Sequence, residues 1–341
     1  MNRAALAIHG GAGTIERSSM TAALELEYRG GLENALRIGW AILEKGGGSL
    51  DTVEATVAAL EDFPLFNAGR GSVFTHEGKI EMDAAIMDGK SLKAGAVAFV
   101  RNVKNPVKLA RLVMDRTEHV LLAGDGAMQF AEQMNVELAD DAYFFTDNRW
   151  LQLQQAKEVG RVQLDHHRSE PQAAANGCQY DVEPEPRQIN SVTTTGIPES
   201  KIDNPKPLGT VGAVACDMNG NLAAATSTGG MTNKRFGRVG DTAIIGAGTY
   251  ADETCAISCT GHGEYFMRGV SAYDVTARVK YKGLGLIAAA SQTIENLTAI
   301  GGEGGLIAVD AIGNVVLPFN SAGMYRGSIS ADGGIVVNIY K

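Results

Sequence analysis

The sequence predicts an α+β protein built as a four-layer αββα sandwich, in which two β-sheets lie between two layers of helices. Two observations predict this architecture. The first half of the 341-residue chain mixes helical and strand periodicity, and the region after residue 208 returns to strands that are apolar on both faces. Such strands need cover on each face, which helices outside and a second sheet inside would supply.

The first 160 residues predict a strand followed by alternating elements. Residues 4–8 predict a buried strand that ends in a glycine-rich turn over 9–13. Apolar residues then recur every three or four positions from Leu24 to Leu43, which predicts a helix, and Ser49 is predicted to cap a second one. Further strands are predicted over 79–89 and 92–100, and further helices near 106–114, 126–134 and 148–158.

Residues 160–208 have the composition of a flexible linker. Six of the nine prolines lie between 171 and 207, among polar residues without apolar periodicity. A structureless stretch of this length inside a compact chain is unusual unless it has a function or joins two separable pieces.

Two later segments share one hairpin pattern. Residues 212–228 and 305–323 each contain an apolar strand, an Asp, two further residues, Gly-Asn and a second strand. This repeated pattern predicts a sheet built from antiparallel meanders and not a parallel wound sheet.

Composition and charge exclude several classes of partner. Glycine accounts for 42 of 341 residues, well above its usual share of about 7%, which indicates tight turns and close backbone approach. The net charge of −9 argues against nucleic acid or an anionic membrane as the main partner. No apolar run is long enough to span a membrane, and the N-terminal apolar patch is too short for a secretory signal.

The four cysteines are interpreted as small buried residues. Cys255 and Cys259 would face the same side of a strand, and neither these two nor Cys178 and Cys216 form a disulfide framework or a metal-binding pattern. A reducing, cytoplasmic location is therefore expected.

The junction Gly209-Thr210, at the end of the linker and the start of an apolar strand, raises a chemical possibility. An internal threonine hydroxyl is a weak nucleophile that needs a base, and no histidine lies in a recognisable triad or zinc pattern. If the bond before Thr210 were broken, its α-amine, with an ordinary pKa of about 7.7–8, could serve as that base. Gly209 has no Cβ, so it offers little resistance to the strained geometry of attack.

Several longer motifs accompany this junction and carry a family resemblance. Six segments are GTVGAVACDMNGNLAAATSTGGMTNKRFGRVGD (209–241), HGGAG (9–13), PLFNAGRGSVFT (64–75), EMDAAIMDG (81–89), SCTGHGE (258–264) and PFNSAGMYRG (318–327). Together they resemble the plant-type L-asparaginase/isoaspartyl aminopeptidase family of N-terminal nucleophile hydrolases. The resemblance covers nearly the whole chain except 160–208. It implies the fold of that superfamily.

The resemblance implies roles for individual residues around the nucleophile. Gly209-Thr210 would be the self-cleaved bond, with His9 nearby for processing, and Thr210 would be the nucleophile. Thr228 would hydrogen-bond the hydroxyl of Thr210, and Asn67 would orient it.

The resemblance also implies how the substrate is bound. Arg238 would bind the substrate α-carboxylate as a bidentate fork, and Asp241 would bind the α-ammonium with help from the carbonyl of Gly263. The Thr260 hydroxyl and the Gly261 N–H would form the oxyanion hole.

A metal, a partner and the absence of a cofactor follow from the same resemblance. No organic cofactor is expected, but a structural sodium ion would be held by backbone carbonyls of the 60–70 segment, namely those of Leu60, Glu61, Phe63, Phe66, Ala68 and Arg70. A homodimer of processed units is expected.

The activity expected is hydrolysis of a β-aspartyl amide. The chain is expected to form one domain (1–341) that self-cleavage divides into an α subunit (1–209) and a β subunit (210–341). The substrates would be L-asparagine and isoaspartyl dipeptides. Two alternatives stay open: a glycosylasparaginase-like activity, and an uncleaved amino-acid-binding protein that uses Arg238 and Asp241 without chemistry. The long linker and the bulky Phe236 near Arg238 depart from the family pattern and leave the preferred leaving group open.

Overall fold

The computed structural model describes residues 4–160, 209–331 and 334–341 of the chain. The predicted linker, with Cys178, therefore lies almost entirely outside the described residues. The strands are β1 (Ala5–Gly13), β2 (Met82–Asp88), β3 (Ala94–Val100), β4 (Leu121–Ala123), β5 (Val211–Cys216), β6 (Leu222–Thr228), β7 (Thr249–Ala251), β8 (Cys255–Gly261), β9 (Gly304–Asp310), β10 (Val315–Val316), β11 (Gly323–Ser330) and β12 (Ile335–Tyr340). The helices are α1 (Ala22–Glu44), α2 (Ser49–Glu61), α3 (Pro106–Arg116), α4 (Gly124–Gln133), α5 (Asp141–Phe144), α6 (Asp147–Glu158), α7 (Gly263–Gly269), α8 (Ser271–Lys282) and α9 (Leu286–Ala299).

The described strands form two sheets, as predicted. The larger has eight strands in the order β12-β11-β1-β5-β6-β2-β3-β4, and the smaller has four in the order β10-β9-β8-β7. Neighbouring strands are antiparallel except for the pair β3–β4. Both predicted hairpins are present, although β10, the second strand of the later hairpin, has only two residues.

Three apolar cores separate the four layers. Helices α1 to α4 pack on the outer face of the larger sheet, and α8 and α9 pack on the smaller one. Strand β5 shows why both of its faces are apolar: Val211, Ala213 and Ala215 belong to the helix-facing core, whereas Val214 and Cys216 belong to the core between the sheets. The αββα sandwich is confirmed.

Two local predictions are wrong. The glycine-rich segment after residue 8 continues β1 to Gly13 instead of forming a turn, because a bulge between His9 and Gly11 lets this strand stay paired with β11. Ser49 is the first residue of α2, and Gly48 occupies the N-cap position, where its carbonyl accepts a hydrogen bond from the backbone N–H of Thr52.

Cys255 and Cys259 lie on one face of β8, as predicted. Both belong with Ile257 to the core that faces α8 and α9, and burial raises the pKa of each thiol above its ordinary value. The intervening Ser258 therefore faces the other sheet, as does Thr260. None of the described helices is long and apolar enough to cross a membrane.

The core of helix α1 can be tested with a matched pair of substitutions. Leu32→Ala removes a side chain that is fully buried against the larger sheet, and such truncations cost about 2–5 kcal/mol of the free energy of unfolding. Leu26→Ala, in the same helix, changes a side chain that is 71% exposed. Denaturant unfolding should show a large loss for Leu32→Ala and almost none for Leu26→Ala; equal losses would contradict this packing.

Candidate active site

Thr210 lies at the mouth of a small cleft where strand β5 begins. The residues that line this cleft include Gly209, Thr210, Thr228, Arg238, Asp241 and Gly261. Thr210 is 7% exposed, so its side chain is almost enclosed. The structure therefore brings together in one cleft six of the residues singled out in the sequence, although they come from both sheets and from the segment that joins β6 to β7.

A second threonine holds the Thr210 hydroxyl. Thr210 Oγ1 donates a hydrogen bond of 3.2 Å to Thr228 Oγ1, which also accepts one of 3.0 Å from the backbone N–H of Gly230. With both of these donors directed at it, the Thr228 oxygen is fixed relative to the turn that follows β6.

Asn67 contacts that turn and not Thr210 itself. Its Nδ2 donates to the carbonyl of Gly230 at 2.8 Å, and its backbone carbonyl accepts from the N–H of Gly229 at 3.1 Å. The side chain of Asn67 is connected to Thr210 only through the turn and Thr228, and its role in orienting Thr210 stays a prediction.

The N-terminal strand approaches Thr210 from the other side. His9 is fully buried, and its Nδ1 lies 2.9 Å from the carbonyl oxygen of Thr210. Burial lowers the pKa of His9 to about 3, although the hydrogen bond to Thr210 opposes the shift, so the imidazole is neutral near pH 7. Gly11, at φ +117°, lies so close to Gly209 that a Cβ would be 2.5 Å from the Gly209 carbonyl oxygen.

Arg238 and Asp241 supply one positive and one negative group at the cleft. A Cβ on Gly263 would lie 2.9 Å from Arg238 Nη2 and 2.8 Å from Asp241 Oδ1, so only glycine lets the chain pass between them here. Asp241 is 4% exposed, and its Oδ2 has no hydrogen-bond partner among the described residues. Burial raises the pKa of Asp241 to about 7, against the lowering influence of Arg238.

Glu264, which the sequence analysis missed, is paired with Arg238. The Nε and Nη2 atoms of Arg238 contact the two carboxylate oxygens of Glu264 at 2.8 and 2.9 Å. Burial raises the pKa of Glu264, but the hydrogen bonds and charge of Arg238 outweigh it and lower the pKa below its ordinary value. The guanidinium therefore already holds a carboxylate in the geometry expected for a substrate. Glu264 directly follows Gly263 in the quoted SCTGHGE motif, which was the available signal.

The predicted oxyanion donors lie at the end of β8. Gly261 lines the cleft at φ +142°, and Thr260 is fully buried. Within the described part of the chain the Thr260 hydroxyl has no hydrogen-bond partner. An unpaired buried hydroxyl one residue before the cleft-lining Gly261 is suited to a ligand oxygen that carries developing negative charge.

The 60–70 segment starts in the last two residues of α2 and continues as a loop in which several carbonyl oxygens approach Gly69 and Gly71. The carbonyls of Pro64 and Phe66 approach Gly71 so closely that a Cβ there would collide with both. Among the described residues no group of three or more His, Cys, Asp and Glu side chains could hold a metal ion. Backbone carbonyls are ligands that suit a hard cation, so the donor type fits the sodium ion expected from the sequence.

Comparisons with known proteins identify the family of this chain. The family model described as asparaginase matches residues 2–338. The chain is 48% identical over 328 residues to an isoaspartyl peptidase of Salmonella typhimurium, covering 96% of this chain and 95% of that protein. It is 46% identical over 328 residues to an isoaspartyl peptidase of Escherichia coli, covering 96% and 92%.

A more distant relative carries the other activity in its name. The chain is 42% identical over 323 residues to a plant-type L-asparaginase of Pyrococcus abyssi, covering 94% of each protein. The family match spans both sheets and every residue of the cleft. This protein therefore belongs to the asparaginase family of N-terminal nucleophile hydrolases.

Proposed function

We propose that this protein is a self-processing amidohydrolase that converts L-asparagine to L-aspartate and ammonia and also cleaves isoaspartyl dipeptides. The observation that carries the proposal is the Thr210 hydroxyl, held by Thr228 in a cleft that also presents Arg238 and Asp241. A nucleophile, an anion-binding fork and a carboxylate together match an amino acid whose side chain carries the scissile amide.

In the processing step Thr210 Oγ attacks the carbonyl carbon of Gly209. The Gly209–Thr210 amide bond breaks as an ester forms, and the hydroxyl proton ends on the nitrogen that becomes the α-amine. Water then hydrolyses the ester, which yields a Gly209 carboxylate and a free Thr210 hydroxyl. Gly11, packed against Gly209, is well placed to fix the peptide that breaks.

In turnover the α-amine of Thr210 accepts the proton of its own hydroxyl, and the oxygen attacks the side-chain carbonyl of the substrate. Thr260 and Gly261 donate hydrogen bonds to the oxyanion. Ammonia or an amino acid leaves with the transferred proton, and water releases the β-aspartyl group from Thr210. The Thr228 hydroxyl keeps the nucleophile oriented throughout both steps.

Substrate recognition requires an exchange at Arg238. The α-carboxylate of the substrate would replace or share the position that Glu264 occupies beside the guanidinium. The α-ammonium would pair with the buried carboxylate of Asp241, whose free oxygen is available to accept it. These paired charges would position the amide over Thr210.

Three further expectations are part of the proposal. The carbonyls of Leu60, Glu61, Phe63, Phe66, Ala68 and Arg70 would hold a sodium ion that stabilises the loop bearing Asn67 and supplies no chemistry. The processed units would form a homodimer, and the protein would work in the cytoplasm.

The nucleophile is tested by Thr210→Ala. We expect a single full-length chain on a denaturing gel and no release of ammonia from L-asparagine, because the variant lacks the oxygen for both steps. The matched control is Thr210→Ser, which keeps a hydroxyl and should still yield two chains. N-terminal sequencing of the wild type should report Thr-Val-Gly-Ala; a persistent single chain would favour the amino-acid-binding alternative, and hydrolysis by Thr210→Ala would refute the assignment.

The role of Asp241 predicts a pH-dependent KM. Below its pKa of about 7 the carboxyl is neutral and no longer attracts the substrate ammonium, so KM for L-asparagine should rise as the pH falls from 8 to 6. Asp241→Asn should raise KM about 10- to 100-fold, as expected for a lost charge-assisted hydrogen bond of about 1.5–3 kcal/mol. The variant should also lose the pH dependence of KM; an unchanged dependence would assign it to another group.

The sodium site predicts a cation-specific effect on stability. Replacing NaCl with choline chloride at equal ionic strength should lower the melting temperature, because an ion that binds only the folded state stabilises it. Identical melting curves in the two salts would rule out the site.

A further inference from the structure

Four buried side chains form a hydrogen-bonded row that ends on the carbonyl of Thr210. Thr249 Oγ1 lies 2.6 Å from Thr226 Oγ1, which lies 2.7 Å from Ser258 Oγ, which lies 2.8 Å from His9 Nε2. The row comes from β7, β6, β8 and β1 and so joins the two sheets. None of the four side chains lines the cleft, and all four are fully buried.

The carbonyl of Thr210, at one end of the row, determines which atom donates in each hydrogen bond of the row. A carbonyl oxygen can only accept, so His9 Nδ1 must carry the proton that it shares with Thr210 over 2.9 Å. The neutral imidazole then has an acceptor at Nε2, which takes the hydroxyl proton of Ser258. With that proton committed, Ser258 accepts from Thr226 over 2.7 Å and Thr226 accepts from Thr249 over 2.6 Å. These contacts are shorter than those of the two threonine hydroxyls with the carbonyls of Gly248 and Thr242, at 3.4 and 3.2 Å.

The row replaces a backbone hydrogen bond that the sheet does not supply. Strands β1 and β5 pair in register from Ala5–Cys216 to His9–Gly212 and no further, because the bulge after His9 redirects β1. Thr210 lies two residues beyond the last pair. Its carbonyl would lose a partner on this side if the His9 side chain did not reach it.

Gly212 marks the space that the row occupies. A Cβ at this position would collide with both Ser258 Oγ and His9 Nε2. Strand β5 therefore has no side chain at the second position after Thr210, and this absence lets the imidazole and the hydroxyl lie against the strand that bears the nucleophile.

We infer that Thr249, Thr226 and Ser258 are positioning residues that hold His9 as the Nδ1–H tautomer and, through it, the orientation of Thr210 after cleavage. The inference rests on the proposed role of Thr210 as the nucleophile. Once the bond to Gly209 is broken, the amine end of Thr210 has no covalent anchor. A fixed carbonyl restricts rotation of the terminal residue and keeps its amine and hydroxyl aligned with the substrate.

The first test reads the tautomer directly. In wild-type protein containing ¹⁵N-imidazole-labelled histidine, the His9 signals, assigned by their loss in His9→Asn, should show the proton on Nδ1 and none on Nε2. A proton on Nε2 would overturn the inference, since His9 could not then donate to Thr210. This result does not depend on hydrolysis, whereas failure of the proposed function would appear as activity of Thr210→Ala.

The second test compares isosteric and conservative variants. Thr226→Val removes the hydroxyl at nearly constant volume and should lower kcat about 10- to 100-fold with KM nearly unchanged, as expected for a misaligned nucleophile. Thr226→Ser restores the hydroxyl and should recover most of the rate. Rates are expressed per Thr210 amino terminus, so that a change in self-cleavage is counted separately.

A buried threonine outside the row serves as the control. Thr276→Val alters a fully buried hydroxyl on α8 that lies 3.1 Å from the Cys255 sulfur and belongs neither to the row nor to the cleft lining, and it should leave kcat unchanged. Wild-type kcat in Thr226→Val, or a Thr226→Ser variant as slow as Thr226→Val, would overturn the inference. If Thr226→Val does not fold or does not cleave itself, the kcat values of Thr249→Val and Thr249→Ser are compared in the same way. Those values and the protonated nitrogen of His9 then decide whether the inference holds.

Discussion

The structure depends on holding Thr210 at a point where the regular sheet stops. On one side β6 supplies Thr228, whose hydroxyl oxygen accepts from Thr210 and is itself fixed by Gly230. On the other side the pairing of β1 with β5 has already ended, and the side chain of His9 donates a hydrogen bond to the carbonyl of Thr210 instead. Strand ends usually tolerate motion because their backbone groups reach water. Here Thr210, the residue directly before the strand, is almost enclosed and is held from both sides, as a residue that must keep its geometry after losing a peptide bond requires.

Charge in the cleft follows a second constraint. A buried carboxylate without a counter-charge is unfavourable, and for this reason burial raises the pKa of Asp241 and favours its neutral form. Arg238 does not neutralise it fully, because the guanidinium is turned to Glu264. The cleft therefore holds an arginine whose partner is more exposed and an aspartate with an unused oxygen. In the proposed binding mode the substrate ammonium supplies the counter-charge that Asp241 lacks, and the substrate carboxylate takes over from Glu264 at Arg238.

The sequence could predict the layers and much of the cleft, but not the contacts that fix them. Apolar strands on both faces of the hairpins predicted the sandwich, and quoted motifs predicted Thr210, Thr228, Arg238, Asp241 and Gly261, which the fold brings to one cleft. The Gly-rich segment after residue 8 predicts a turn because such segments are typical of turns, and only its pairing with β11 shows that the strand continues past a bulge. Ser258, Thr226 and Thr249 carry no local signal: each is a small polar residue in an apolar strand, and their row exists only because two sheets face each other.

The reacting groups come from both sheets, which explains why the space between the sheets is polar at this end. Thr210 directly precedes β5 and Thr228 ends β6, both strands of the larger sheet, whereas Thr260 and Gly261 end a strand of the smaller one. Apolar contacts between the sheets have no preferred direction. Hydrogen bonds between Thr226 of one sheet and Ser258 and Thr249 of the other do have direction and length. They add a directional constraint on the register of the two sheets, and in the proposed mechanism this register sets the distance between the nucleophile and the oxyanion donors.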